Sequence, residues 1–82
     1  MKKVVIDDKA IKELLKLELN IRKKIFSKIE TLSNFPEIPN IKKLKNFSPK
    51  YRLRIANYRV LFDIDDDVIT VYSVKHRKSC YK

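Results

Sequence analysis

Three arginines set close together, Arg52, Arg54 and Arg59, are the residues of this 82-residue chain best suited to hold an anion. A guanidinium is planar, always charged, and grips paired oxygens in a fork. The three lie in YRLRIANYRVLFDI, Tyr51 to Ile64, which alternates apolar and polar residues, breaks once, and alternates again. Successive side chains of a strand point to opposite faces. With Ala56-Asn57 as a two-residue turn, Ile55 pairs with Tyr58, Arg54 with Arg59, Leu53 with Val60 and Arg52 with Leu61. That register gathers the arginines on one face and the large apolar residues of the first strand on the other. Like charges directly opposed weaken a ladder. A solvated face, with Arg52 and Arg54 balanced by Asp63, would explain two of the arginines. Arg59 opposite Arg54 is better explained by a bound anion. The segment 75–82, KHRKSCYK, adds His76 and Tyr81. Taken alone, they read as a surface histidine and a packing residue.

The chain length predicts one domain over residues 1–82, with a limited core. Lys and Arg number 20 against 10 Asp and Glu, a net charge of +10, which points to a polyanionic partner. Nucleic acid comes first, then an acidic protein, then an anionic membrane surface. Codon bias toward lysine would also raise the charge, so more weight falls on the arginines. Cys80 is the one cysteine, so no internal disulfide forms, and no Cys/His cluster has metal spacing. The apolar run of MKKVVIDDKA stops after Ile6 at two aspartates, unlike a secretory leader. No apolar run approaches the ~18 residues that span a bilayer. The expectation is a cytoplasmic protein without metal or cofactor.

The arginines need a scaffold. KVVI, residues 3–6, reads as a strand. Asp7 or Asp8 suits a helix N-cap. Ala10, Ile11, Leu14, Leu15 and Leu17, then Ile21, Ile25, Ile29 and Leu32, follow with helical spacing. One helix of ~26 residues would be about 39 Å long, so two helices are expected, with a break near Leu19-Asn20. Pro36 and Pro39 mark a loop, and IKKLKNFSPK, 41–50, continues it, anchored by Ile41, Leu44 and Phe47. Asp65-Asp66-Asp67 is a second turn, and VITVYSV, 68–74, a third meander strand. Its register stays open. A two-residue turn buries Ile69 and Val71; a three-residue turn buries Val68, Tyr72 and Val74. The fold class is α+β: an N-terminal strand, two helices, then a three-stranded antiparallel meander, with the helices packed on one face of the sheet.

The segment LKNFSPKYRLRIANYRVLFDIDDDVITVYSVKHRKSCY resembles the RelE/ParE superfamily of bacterial and archaeal type II toxins. The resemblance lies in the YRLRI-xx-YRVLF hairpin, the acidic turn and the V-x-H-R-x-x-x-Y ending, and the strand-helix-helix start agrees in length and order. It implies a fold like that of microbial ribonucleases. It also implies a toxin neutralised by a cognate antitoxin, within a toxin–antitoxin hetero-oligomer. The RelE-like branch implies an endoribonuclease that cuts mRNA in the A site of the ribosomal 30S subunit and so inhibits translation. The ParE-like branch implies inhibition of DNA gyrase, and an inert RNA- or antitoxin-binding member is a third reading. The basic and titratable set favours the first. An acidic amphipathic helix would suit the antitoxin, covering the arginines or displacing the C-terminal segment.

By motif, the resemblance places Arg54, Arg59, His76, Arg77 and Tyr81 at the reacting centre and Arg52 against the RNA; Lys50, Lys45 and Lys75, basic neighbours of this set, are further candidates for RNA contact. Attack by the RNA's own 2′-OH needs a base, cations for the phosphorane, and an acid for the leaving 5′-oxygen. Arg54 and Arg59 suit the cations. Arg52 suits backbone positioning. His76, an imidazole, could be acid or base. Tyr81 could stack on a base or act as general base. Family glycines are replaced here by Asn46 or Lys45, by Ala56 and by Lys75, which puts the turn type in question. Lys75 could take the role given to Arg77.

Overall fold

The computed structural model describes residues 2–76 apart from 36, 39 and 47. Phe47, Arg77, Cys80 and Tyr81, named above, lie outside the described residues. The elements are β1 (Lys3–Ile6), α1 (Asp8–Leu15), α2 (Leu19–Glu30), a 3-10 turn (Thr31–Asn34), β2 (Ile41–Lys43), β3 (Tyr51–Ile55), β4 (Tyr58–Asp65) and β5 (Val68–His76). The strands form one sheet in the order β1-β5-β4-β3-β2. β1 runs parallel to β5, and the other pairs are antiparallel. The α+β class stands as expected, but Ile41–Lys43, read as loop, is a short edge strand paired to Leu53–Tyr51.

α1 starts at Asp7, whose carboxylate accepts the Lys9 N–H at 3.2 Å. This satisfies one of the orphan donors of the first turn. The break between the helices falls at 16–18, earlier than expected. No glycine or proline stops α1. Instead the Arg22 guanidinium reaches back from α2 and donates to the carbonyls of Leu14, Leu15 and Leu17 at 3.2, 3.1 and 3.0 Å. It caps three C-terminal acceptors at once and folds the helices against each other.

Ala10 and Leu14 of α1 and Ile25 and Ile29 of α2 meet Leu53, Ile55, Val60, Phe62, Ile69, Val71 and Val74 of the sheet in one buried cluster. Phe62 is fully buried; Tyr51 stacks on it at 5.5 Å and Phe35 meets it edge-on at 6.3 Å. Burial of one such ring contributes roughly 1.5–3 kcal/mol. The core therefore fixes the middle of the hairpin.

The hairpin register is the expected one, from Ile55–Tyr58 through Arg52–Leu61. Ala56 takes a left-handed backbone at φ 53°, which glycine adopts without penalty. The acidic turn is the two-residue form, with Asp65 opposite Val68, and Ile69 and Val71 are buried. Val74, assigned above to the other register, is buried as well. A bulge reconciles the two. Phe62 pairs with Val71 but Leu61 with Ser73, so Tyr72 is an extra residue and the alternation inverts beyond it.

Candidate nucleic-acid interface

The sheet face away from the core carries two adjacent basic rungs. In one, Lys42 of β2 pairs with Arg52 of β3, and Arg52 with Leu61 of β4. In the other, Arg54 of β3 pairs with Arg59 of β4, and Arg59 with Lys75 of β5. Five cations thus occupy neighbouring positions on one face. Each directly opposed like-charged pair costs roughly 0.2–1 kcal/mol relative to neutral neighbours. Arg54 is exposed and Arg52 half-buried, while Arg59 keeps only 7% of its surface. An Arg59 terminal nitrogen donates to the Tyr58 carbonyl at 3.5 Å. The face therefore grades from an accessible guanidinium at the hairpin to a fixed one at its centre.

The rungs take their orientation from the core beneath. Leu53 and Ile55 point into the core, so Arg52 and Arg54 point out. Asp63, offered above as a balance for Arg52 and Arg54, accepts the Lys50 backbone N–H at 3.2 Å. It ties the β2–β3 connection to β4. Lys45 and Lys50 line a depression of about 700 Å³ there, together with Lys43.

Lys75 joins the row, as its assignment to RNA contact requires. His76 does not. It pairs with Tyr58, and their rings meet edge-on at 5.2 Å, on the face opposite the arginines. The Tyr72 bulge is the cause, since without it the alternation would turn His76 outward and Lys75 inward. Arg77 and Tyr81 lie outside the described residues.

Two further contributors flank the row, the lysines of α2, which the sequence shows only as a basic helix face, and Glu13, which sequence reasoning missed. Lys24 and Lys28 of α2 line a cavity of about 250 Å³ with Asn40 and Arg54, so part of the helix charge adds to the hairpin. Glu13 of α1 touches the far end of the row. Its carboxylate accepts the Val74 N–H at 2.9 Å, the Ser73 hydroxyl at 3.1 Å and the Lys75 ammonium at 2.6 Å. Burial alone would raise its pKa, but the Lys75 and Val74 hydrogen bonds, the charge of Lys75 and the Ser73 hydroxyl together hold it below the usual carboxylate value. The available signal was a glutamate on the apolar stripe of a helix whose other charges face outward.

Chemically, the face can hold a phosphodiester backbone. Guanidinium forks and ammonium groups at strand spacing suit phosphate oxygens and developing charge on phosphorus. Among the described residues, no cluster of His, Cys, Asp or Glu could hold a metal ion.

The whole is a small basic domain with two helices on one face of a five-stranded sheet and a row of cations on the other. The family described as the ParE toxin of type II toxin–antitoxin systems, parDE, matches residues 4–81. The toxin RelE3 of Methanocaldococcus jannaschii is 35% identical over 83 residues, covering 96% of this chain and 94% of its own. A chain of the RelB–RelE antitoxin–toxin complex from Methanococcus jannaschii superposes with a TM-score of 0.75 at 32% identity, over 94% of both chains. A chain of the RelBE2 toxin–antitoxin complex of Mycobacterium tuberculosis gives 0.79 at 26% identity, over 93% of this chain and 98% of that one. The chain belongs to the RelE/ParE family and is a toxin of a type II toxin–antitoxin system.

Proposed function

We propose that the protein is a ribosome-dependent endoribonuclease that cleaves mRNA in the A site. The observation that carries this reading is the two-rung row of Lys42, Arg52, Arg54, Arg59 and Lys75 on the open sheet face. In the reaction the 2′-oxygen loses its proton and attacks phosphorus. The P–O5′ bond breaks, and the 5′-oxygen takes a proton. Arg54 and Arg59 grip the non-bridging oxygens as charge builds on them. Arg52 and Lys42 hold the neighbouring backbone. Arginine stays charged throughout the working pH range, so the acid and base are other groups. With His76 turned to the other face, they come from Arg77–Tyr81 or from the ribosome. Cleavage is therefore expected in translating ribosomes and weak on naked RNA.

The antitoxin partner is read as an acidic amphipathic helix. Besides the cation row, a groove of about 430 Å³ between α1 and α2 suits it, with Ile11, Leu15 and Phe26 exposed and Arg22 and Lys23 on its rim. The protein acts in the cytoplasm, where its substrate is. Among the described residues no helix is long and apolar enough to cross a membrane.

Mapping mRNA 5′ ends after brief induction tests the activity. New ends inside translated codons are expected, and Arg54→Ala with Arg59→Ala should abolish them while the protein stays folded. Unchanged ends with inhibited DNA supercoiling would instead support gyrase inhibition.

A further inference from the structure

β1 covers only part of the outer edge of β5. Its pairing stops at Ile6–Val71, and the Asp7 N–H donates to the Val71 carbonyl at 2.9 Å. Beyond lies the bulge at Tyr72, a residue 41% exposed, and then Ser73 to His76. Among the described residues no strand pairs with this stretch from outside. Glu13 takes that place. One carboxylate oxygen accepts the Val74 N–H and the Ser73 hydroxyl, directly after the bulge, and the other holds the Lys75 ammonium.

The bulge decides which side chain faces the RNA. On a regular strand, Ser73 and Lys75 would point to the core and Val74 and His76 away from it. The extra residue inverts this, placing Lys75 beside Arg59 and His76 beside Tyr58. Val74, 5% exposed, supports the inverted register from inside the core. Glu13 supports it from the edge, and it alone of the two also holds the ammonium that the inversion presents. Its side chain keeps 17% of its surface and that of Lys75 34%, so the pair is shielded enough to hold one geometry.

We propose that Glu13 is a positioning residue for the cation row: it pins β5 just past the Tyr72 bulge and sets the Lys75 ammonium beside Arg59. The inference rests on reading the row as an RNA site, and it ties α1, which carries no part of the row, to the geometry of the phosphate grip.

The test combines cleavage in a translating extract with amide exchange of the folded protein. Glu13→Ala and Lys75→Ala should each lower the cleavage rate by roughly tenfold, as expected for the loss of one charge-assisted phosphate contact. The double variant should be no slower than either single one, because both remove the same contact. Glu13→Gln keeps an acceptor for Val74 and Ser73 and should lose less than Glu13→Ala. Exchange at the Val74 amide should quicken in Glu13→Ala and stay slow in Lys75→Ala, and backbone Overhauser contacts between Arg59 and Lys75 should weaken only in Glu13→Ala. Multiplying losses in the double variant, or Val74 exchange unchanged by Glu13→Ala, would overturn the proposal. An inactive parent protein would reject the nuclease reading, while Val74 exchange and the Arg59–Lys75 contacts would still judge Glu13.

Discussion

Replacing Arg22 by alanine should cost more than any ordinary surface change, because one side chain closes the turn between the helices. Its guanidinium donates to Leu14, Leu15 and Leu17, and the bonds to Leu14 and Leu17 are partly buried. A hydrogen bond from a charged donor contributes about 1.5–3 kcal/mol when shielded, and the exposed one to Leu15 counts for little. Alanine is a slightly better helix former than arginine, which returns a few tenths of a kcal/mol. Partial hydration of the freed carbonyls offsets part of the loss as well. The net is about 2–3 kcal/mol, against roughly 4–12 kcal/mol of total stability for a domain of this size. At about 4–8 °C per kcal/mol, the melting temperature should fall by roughly 10–20 °C. Circular dichroism melts of the parent, Arg22→Ala and Arg22→Lys would measure it. Lysine reaches one acceptor as a point charge and should fall in between. The loss should persist in high salt, because the acceptors are neutral carbonyls and not acids. A melting temperature within about 2 °C of the parent, as for a neutral surface change, would refute the assignment of Arg22 as the cap.

The turn and the acid limb give two further expectations. Ala56→Gly should stabilise the protein by about 0.5–1 kcal/mol in a urea melt, since a left-handed non-glycine residue costs about 1–2 kcal/mol and glycine gives back part of that as unfolded-chain entropy. The folded pKa of Glu13 is depressed, so its stabilisation is complete above the unfolded carboxyl value of about 4.3 and is lost as pH falls through the lower folded value. Urea midpoints measured through that range should drop more steeply for the parent than for Glu13→Gln.

The hairpin was legible because its two apolar alternations share a face in only one register, and the opposed arginines followed from it. The helix break was less so. Leu14, Leu17, Ile21 and Ile25 keep one helical face straight through it, and the device that makes the break is a side chain acting from the next helix. β2 escaped notice because three residues, two of them exposed lysines, show no period; only backbone pairing to β3 defines it. The last strand looked ambiguous because both alternations are present, one on each side of Tyr72. That bulge also explains why the family motif could point to His76 while the geometry brings Lys75 to the arginines. Long-range contacts such as Glu13 to β5 leave at most an acid on an apolar stripe, which does not name its partner.

The parallel pairing of β1 with β5 also orders events in time. Lys3–Ile6 has to wait for Val68–Val71 before its backbone groups find their partners. At about 5–20 residues per second of synthesis, that wait is roughly 3–12 s. The β3–β4 hairpin, with Arg52, Arg54 and Arg59, has local partners and needs no such wait once it is free of the ribosome. The strand that brings Lys75 is also the one that closes the sheet. The arginine hairpin thus comes from local contacts alone, while the complete row waits for the strand that closes the sheet.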